Sequence, residues 1–528
     1  MRAGSGWFSR PLFLLAFTAA LIAFVVQSGE LGTSDTQHRL NAAHALWTSS
    51  PPVFPEEYPE FGVHGRGGKL QTWYGIGQSL LMLPQDMIGT AIAHLAVFAG
   101  YTDDPTVGNI FVSYTTNVLL AVLTALVCFR FLRQLEFSVN HAVAGVLALL
   151  VCTTHLHYTQ NMMENNYIFL LTLTGFSFQY EWLQTGSRRA LFWGSAAFGL
   201  NLLTRLTTGM DLLAGGLFVL LVLWWKKQRG PHLWRRCRAY LATALPVYIF
   251  FGLVDRAYQF YRFGSFFNTY IGLVAKEERL RDPSLPANYP FSTPLHVGVF
   301  GALFAPEKSI FLFDPLLILA ILVAVVGWKR FSPAIRAYAI STLVMLLAYM
   351  CFYGRYFAWA GDFAWGDRYV STSVELASLL AVPLLLHYAQ EFGRFVCGIG
   401  MVLIAASAVI QAASLAFWLP LEIYQMETLG HPTFVIALRF KNIVAFALGK
   451  MDAWGLNNHA MTEDPWDYVH ITTWNFLPYL LRRVGVAPAW AVRIAFIVWY
   501  AGLAALAATL TRLCIVCKRL SATASARP

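Results

Sequence analysis

The chain is poor in charge. Only 12% of its 528 residues are Asp, Glu, Lys or Arg, about half the share a soluble domain uses to cover its surface. That shortage excludes an ordinary water-soluble globule. Cysteine is sparse too: seven residues, at 128, 152, 237, 351, 397, 514 and 517. Most fall in apolar stretches or basic gaps, and no two pair in one polar segment, which excludes a disulfide framework. Cys514 and Cys517 have C-x-x-C spacing inside an apolar stretch, where packing accounts for them. The sequence also lacks an internal repeat and a low-complexity tract. No small-residue cleavage site closes its first apolar run, Leu12 to Val26, so that run reads as a retained first helix.

What is present is apolar. Hydrophobic residues make up 57% of the chain, and mean hydropathy is +0.53. Roughly twelve stretches have the length that crosses a bilayer. Over such runs only helices satisfy their own backbone in lipid. The expected fold is therefore all-α: a polytopic membrane helical bundle of about twelve transmembrane helices.

Basic residues cluster in alternate gaps. Arg2 and Arg10 precede the first stretch; Arg130 and Arg133 follow the second, and Arg188 and Arg189 the fourth. Lys226, Lys227, Arg229, Arg235, Arg236 and Arg238 follow the sixth. Lys329, Arg330 and Arg336, then Arg394, then Lys518 and Arg519 continue the pattern. Short loops rich in Lys and Arg stay in the cytoplasm. Both termini are thus expected inside a multi-pass cell-membrane protein, and the other gaps face outward. The net charge of +10 follows from these loops, so no nucleic-acid partner is expected.

The first outward segment runs from about residue 28 to 108. Ser34-Asp35 reads as a helix N-cap, followed by an amphipathic helix with Leu40, Ala43 and Trp47 on one face. After a Pro- and Glu-rich stretch, Pro51 to Pro59, the apolar run Tyr74 to Ala99 is broken by Pro84, Gln85 and Asp86. It reads as interface helices, not a span. Further along, a seventh helix over Tyr240 to Val254 leads to a long outer loop, Asp255 to Glu307. A last outer segment, about 419 to 489, carries Trp454, Glu463, Asp464, Trp466, Asp467 and His470. It either binds an acceptor or caps the bundle.

Four outward features can carry chemistry. Asp35 can act as a general base if partly desolvated, or serve only as a helix cap. Glu164 is the single acid in a minimal turn between two apolar stretches, and is either a cavity-facing acid or a solvated turn residue. Arg66, Lys69, Arg205, Arg262, Lys308, Arg355 and Arg368 would suit a phosphate held at the membrane surface. Each alone is equally explained by snorkelling to the interface. Finally, Phe357 to Tyr369 sets Trp359, Trp365, Asp362 and Asp367 among glycines. Rings and carboxylates so placed form a sugar platform; a plain aromatic belt is the alternative.

On these residues the chain resembles the bacterial GT-C-type membrane glycosyltransferases, relatives of protein O-mannosyltransferases (glycosyltransferase family 39-like) and of the lipid A aminoarabinose transferase. The resemblance covers the chain to about residue 390. It is carried by Ser34-Asp35 with its helix, by Gly68 to Pro84, Tyr158 to Glu164 and Gly199 to Arg205. Arg262-Phe-Gly-Ser-Phe, Lys308 to Pro315 and Trp365-Gly-Asp-Arg-Tyr369 complete it. It implies a GT-C-like catalytic membrane domain over 1–390. Residues 391–528 would supply C-terminal membrane helices and the outer segment.

The implied activity moves a sugar from a polyprenyl-phosphate donor to a lipid, glycan or protein acceptor on the outer face, with inversion. Asp35 and Glu164 match the family's catalytic acids. Arg66 or Lys69 matches the loop cation near the donor phosphate, with Arg205, Arg262, Lys308 and Arg368 as further phosphate ligands. Trp359, Trp365 and Asp367 would meet sugar or acceptor. Family members often pair two acids in the first loop; here Thr36 follows Asp35, so neither a metal site nor a cofactor is predicted. Membrane lipids are the other expected partners. A transporter or flippase of a lipid-linked sugar competes with this reading, as does a surface-glycan ligase or polymerase. The polar residues gather at the outer surface and the halves show no symmetry, which speaks against a transporter.

Overall fold

A computed structural model describes residues 10–53, 62–98, 105–226, 230–361, 364–418, 420–427, 430–450, 473–484 and 487–525. Of the residues named above, Arg2, Lys227, Arg229, Asp362, Trp454, Glu463, Asp464, Trp466, Asp467 and His470 lie outside these, as does most of Pro51 to Pro59.

The described chain is helical, apart from one short ribbon. It opens with α1 (Arg10–Val26) and α2 (Ser34–His44), then β1 (Gly62–His64) pairs antiparallel with β2 (Leu70–Thr72). There follow α3 (Gly77–Ala93), α4 (Val107–Gln134), α5 (Val139–Cys152), α6 (His155–Gln160) and α7 (Asn165–Thr185). Next come α8 (Arg188–Leu202), α9 (Gly209–Trp225), α10 (Pro231–Phe263), α11 (Tyr270–Arg281) and α12 (Leu295–Phe304). The centre of the bundle continues with α13 (Ile310–Phe313), α14 (Leu316–Gly327), α15 (Pro333–Tyr353), α16 (Ser371–Ser378) and α17 (Ala381–His387). The chain closes with α18 (Ala389–Ser414), α19 (Pro420–Glu427), α20 (Val435–Ala447), α21 (Leu477–Val484) and α22 (Ala489–Ser525).

Local sequence sets many of the boundaries. Thr106, Ser138, Ser187 and Ser332 each cap a helix by accepting a bond from the amide three residues on. Gly186 and Gly264 end α7 and α10 in the left-handed region. Among the described residues, six helices are long and apolar enough to cross a membrane: α4, α9 with its preceding turn, α10, α15, α18 and α22. Arg10–Val26, Val139–Cys152, Leu295–Phe304 and Ser371–His387 are apolar but shorter than the roughly twenty residues of a full span. Apolar helices of full spanning length among the described residues thus number six, against an expectation of about twelve. The run after Tyr369, for example, is divided between α16 and α17.

Large apolar side chains remain exposed on the outer faces of the bundle, among them Trp193, Leu213, Leu253 and Val325. Such a surface needs lipid against it. This is an all-α membrane protein. Inside, α7 packs on α8, α8 on α10, α9 on α15, and α1 on α4 and α22. Phe176 meets Phe198, Phe218 and Tyr338 with ring centroids 5.3–5.7 Å apart. Gly175 and Gly215 make room there, since a Cβ at either would stand within 2.6 Å of the Phe198 ring.

Two boundaries differ from expectation. α10 does not stop at Val254 but runs unbroken to Phe263, so the loop that follows starts nine residues later; Asp255 and Arg262 are helical and buried. The cap of α2 is Thr33, whose hydroxyl accepts from the Thr36 amide. Asp35 lies inside the first turn and is free for other work.

The first loop folds back onto the bundle. α2 packs on α3, and α3 on α4. The Gly77 amide donates to the Leu203 carbonyl at the end of α8, 2.8 Å away. Arg262 closes the other side. Buried near the end of α10, it donates through Nη1 to the carbonyls of Thr72 (2.5 Å) and Tyr74 (2.8 Å).

Candidate active site

Docking α2 brings Asp35 and Arg39, one turn apart on one helix face, against residues from three other elements. Asp35 accepts from the Tyr74 hydroxyl at 2.7 Å and from Arg368 Nη1 at 2.9 Å. Glu164, at the junction of α6 and α7, takes Arg39 at 2.9 Å on one oxygen and Arg205 on the other. The Arg39 guanidinium also lies over the Tyr74 ring, 4.2 Å from its centre. Tyr353 and Tyr369 stack at 4.3 Å and face Arg205 and Arg368. Asn165 steadies the loop by donating to the Arg368 carbonyl at 2.8 Å.

Two carboxylates thus meet three guanidinium groups in one place. The floor, Glu164 and Arg39, is closed at 4–5% side-chain exposure; the rim, Asp35, Arg205 and Arg368, keeps 12–16%. The turn holding Glu164 is not solvated. Every residue from His155 to Tyr167 is buried, and α6 fills the gap.

The charges tune one another. Burial works to raise the Asp35 carboxyl, but Arg368, Arg39 and the Tyr74 hydroxyl outweigh burial and the nearby Glu164, holding it below its ordinary value. Burial acts likewise on Glu164, and Arg205, Arg39 and Arg368 hold that acid well below the carboxylate range. Burial raises Tyr74, with the Asp35 charge adding to it, so its hydroxyl keeps its proton to donate.

The remaining expected residues separate from this cluster. Arg262 and Lys308 are buried and already engaged with carbonyls. Arg262 clamps the first loop, and Lys308 Nζ donates to Ala364 at 2.8 Å and Gly366 at 3.4 Å. Both hold loops in place in this state. Arg66 and Lys69 stand exposed at the ribbon tip, Arg66 over the Phe260 ring at 5.5 Å, and neither is paired with Asp35 or Glu164. Arg355 is exposed.

Trp365 is fully buried. Its ring is covered by His157 (5.9 Å, stacked), Phe313 (5.0 Å, edge-on) and the Arg439 guanidinium (5.2 Å). It anchors the loop that presents Arg368. The Trp359 ring lies over Gly301 on α12, where a Cβ would come within 2.1 Å of it. Asp367 accepts from the Tyr369 amide at 3.0 Å. Burial lifts its pKa to about 7 despite that bond and the nearby Lys308.

Sequence reasoning missed Arg39, Tyr74, Tyr353 and Tyr369. The i, i+4 spacing of Asp35 and Arg39 was the available signal. A second buried cluster was missed as well. The Thr154 amide donates to Asp314 at 2.8 Å, and its hydroxyl to Glu375 at 3.1 Å. Burial and the Glu375 charge raise Asp314 to about 8. The segment after α18 docks through Arg439, which grips Glu422 with two 2.7 Å bonds and donates to the Ser414 and Phe417 carbonyls. Among the described residues, no group of three or more His, Cys, Asp or Glu side chains could hold a metal.

No protein-family model matches the chain, and no curated protein sequence matches it. Among solved structures it is similar to the apo form of the Archaeoglobus fulgidus oligosaccharyltransferase, at 14% identity and a TM-score of 0.48. That likeness covers 78% of this chain and 56% of the archaeal one, so the chain spans little more than half the length of that protein.

Proposed function

We propose that the chain is a membrane glycosyltransferase that moves a sugar from a polyprenyl-phosphate donor to an acceptor hydroxyl at the outer face, with inversion. The observation that carries this reading is the junction of Asp35, Glu164, Arg39, Arg205 and Arg368. Three guanidinium groups against two carboxylates leave one positive charge to be met. A phosphate group meets it, and planar guanidinium forks suit phosphate geometry.

The roles divide by exposure. Arg368 and Arg205, at the rim, hold the donor phosphate and stabilise it as it leaves. Asp35 accepts the acceptor's proton while the acceptor oxygen attacks the anomeric carbon and the sugar–phosphate bond breaks. Glu164, enclosed and strongly acidic, orients Arg39 and Arg205. Residues 1–390 supply these groups, and both termini lie in the cytoplasm. α3 offers a place for the lipid tail. Leu80, Met87 and Ile88 are exposed along one side of it, while Gln78, Ser79, Met82 and Asp86 are buried on the other.

The test is release of polyprenyl phosphate from a panel of polyprenyl-phosphate sugars in native membranes. Asp35→Asn should fold normally and lose roughly a hundredfold to ten-thousandfold in rate, the usual cost of removing a general base. Thr33, not Asp35, is the cap, so a loss cannot be assigned to capping. Normal turnover would remove Asp35 from the chemistry.

A further inference from the structure

A general base needs access to the proton it takes and an affinity for protons matched to its task. In this structure Asp35 is held by a partner on each carboxylate oxygen. Its Oδ1 is taken by Tyr74 and its Oδ2 by Arg368. The groups facing it are Arg368 from the loop before α16, Tyr74 from the segment after β2, Glu164 from the α6–α7 junction, and His38 and Arg39 from its own helix. Arg368 and Arg39 favour the bare carboxylate most, and Tyr74 adds to them. Arg368 also stands at the rim, where an incoming anion meets it before it meets the enclosed Arg39.

We propose that Asp35 is a switched base: Arg368 and Tyr74 hold its carboxylate in the resting state, and the donor phosphate, by taking Arg368, frees it to receive the acceptor's proton. The proposal rests on the donor reading above and adds an order of events to it. Before a donor binds, the ion pair with Arg368 makes the carboxylate a weak base. After it binds, one guanidinium charge is neutralised by phosphate, one oxygen is released, and burial now raises the proton affinity of the acid. The acceptor's O–H proton passes to that oxygen as its oxygen bonds to the anomeric carbon. In the same step the sugar–phosphate bond breaks, with the electron pair leaving on polyprenyl phosphate. Departure of that product returns Arg368 to Asp35 and expels the proton.

The prediction concerns protons taken up on binding, and it needs no turnover. Calorimetry of polyprenyl monophosphate binding to the full-length protein, in buffers of differing ionisation heat, gives that number. Near pH 5 a phosphate monoester stays largely a monoanion, its second pKa being about 6. Wild type should take up on the order of half a proton more than Asp35→Asn, because the freed acid rises toward and past the working pH. Tyr74→Phe should bind too, with its uptake window displaced to higher pH, since the charged form of Asp35 has lost a hydrogen bond. Binding with the same uptake in wild type and Asp35→Asn would overturn the switch and leave the donor reading standing. An unmoved window in Tyr74→Phe would remove Tyr74 from it. Failure of wild type to bind polyprenyl phosphate would overturn the donor reading and the switch with it.

Discussion

Asp367 shows how burial alone can set the behaviour of one residue. Its neighbours on either side, Gly366 and Arg368, belong to the turn that serves the site, yet its own carboxyl faces inward and titrates at about 7. Unfolded, an aspartate titrates near 3.9. The folded state therefore binds the extra proton between those values, and stability falls as pH rises through that window, levelling off above it. Asp367→Asn keeps an acceptor for the Tyr369 amide and carries no charge. Its thermal unfolding midpoint should thus fall less than that of wild type between about pH 4 and pH 7. Parallel curves for the two proteins would mean that the carboxyl is hydrated. Asp35 and Glu164 run the other way. Their arginine partners contribute stability above the ordinary carboxylate range, and it is lost as pH falls through their depressed values.

At the scale of elements, the site depends on how closely the segment before α3 approaches the end of α8. A Cβ on Gly75 would stand 2.3 Å from the Leu203 carbonyl oxygen and 2.5 Å from that of Thr204. Both are backbone atoms, so they cannot swing aside. Gly75→Ala should push Tyr74 away from Asp35 on one side and strain Arg205 on the other. A destabilisation of roughly 1–3 kcal/mol is expected from such overpacking, with a drop in donor turnover. Thermal unfolding and the polyprenyl-phosphate release assay measure the two effects, and an unchanged rate would mean that Tyr74 does not act through its position.

The helices themselves were legible because apolar runs, Ser and Thr caps and basic clusters are local signals. α4, α15 and α22 stand where the apolar runs lie. What was not legible was partnership. Lys308 and Arg262 have the same chemistry as Arg205 and Arg368, and no local signal tells which cation will meet a carbonyl and which a carboxylate. That is decided by tertiary approach: the Ala364 and Gly366 carbonyls reach Lys308, while Glu164 reaches Arg205. Trp365 was similarly ambiguous, since an indole that can stack on a sugar can equally fill a core.

For the molecule as a whole, the site reading requires that α2, the α6–α7 junction, the α8–α9 turn and the loop before α16 share one side of the membrane. Cysteines introduced one at a time test this. Ser49→Cys should react with an impermeant thiol reagent applied to intact cells, and His232→Cys should react only after permeabilisation. Reaction of both from outside would overturn the assigned orientation.

α10 is long and apolar enough to cross the membrane. Its 33 residues make a rod about 50 Å long, against a hydrocarbon layer of about 30 Å. A helix longer than its bilayer settles by tilting, and the tilt follows the thickness of the lipid. The rod's far end carries Arg262, which grips the Thr72 and Tyr74 carbonyls, and Tyr74 grips Asp35. Through that chain of contacts, a change in bilayer thickness is expected to shift the Tyr74–Asp35 contact, and polyprenyl-phosphate release in vesicles of short- and of long-chain lipid would show it.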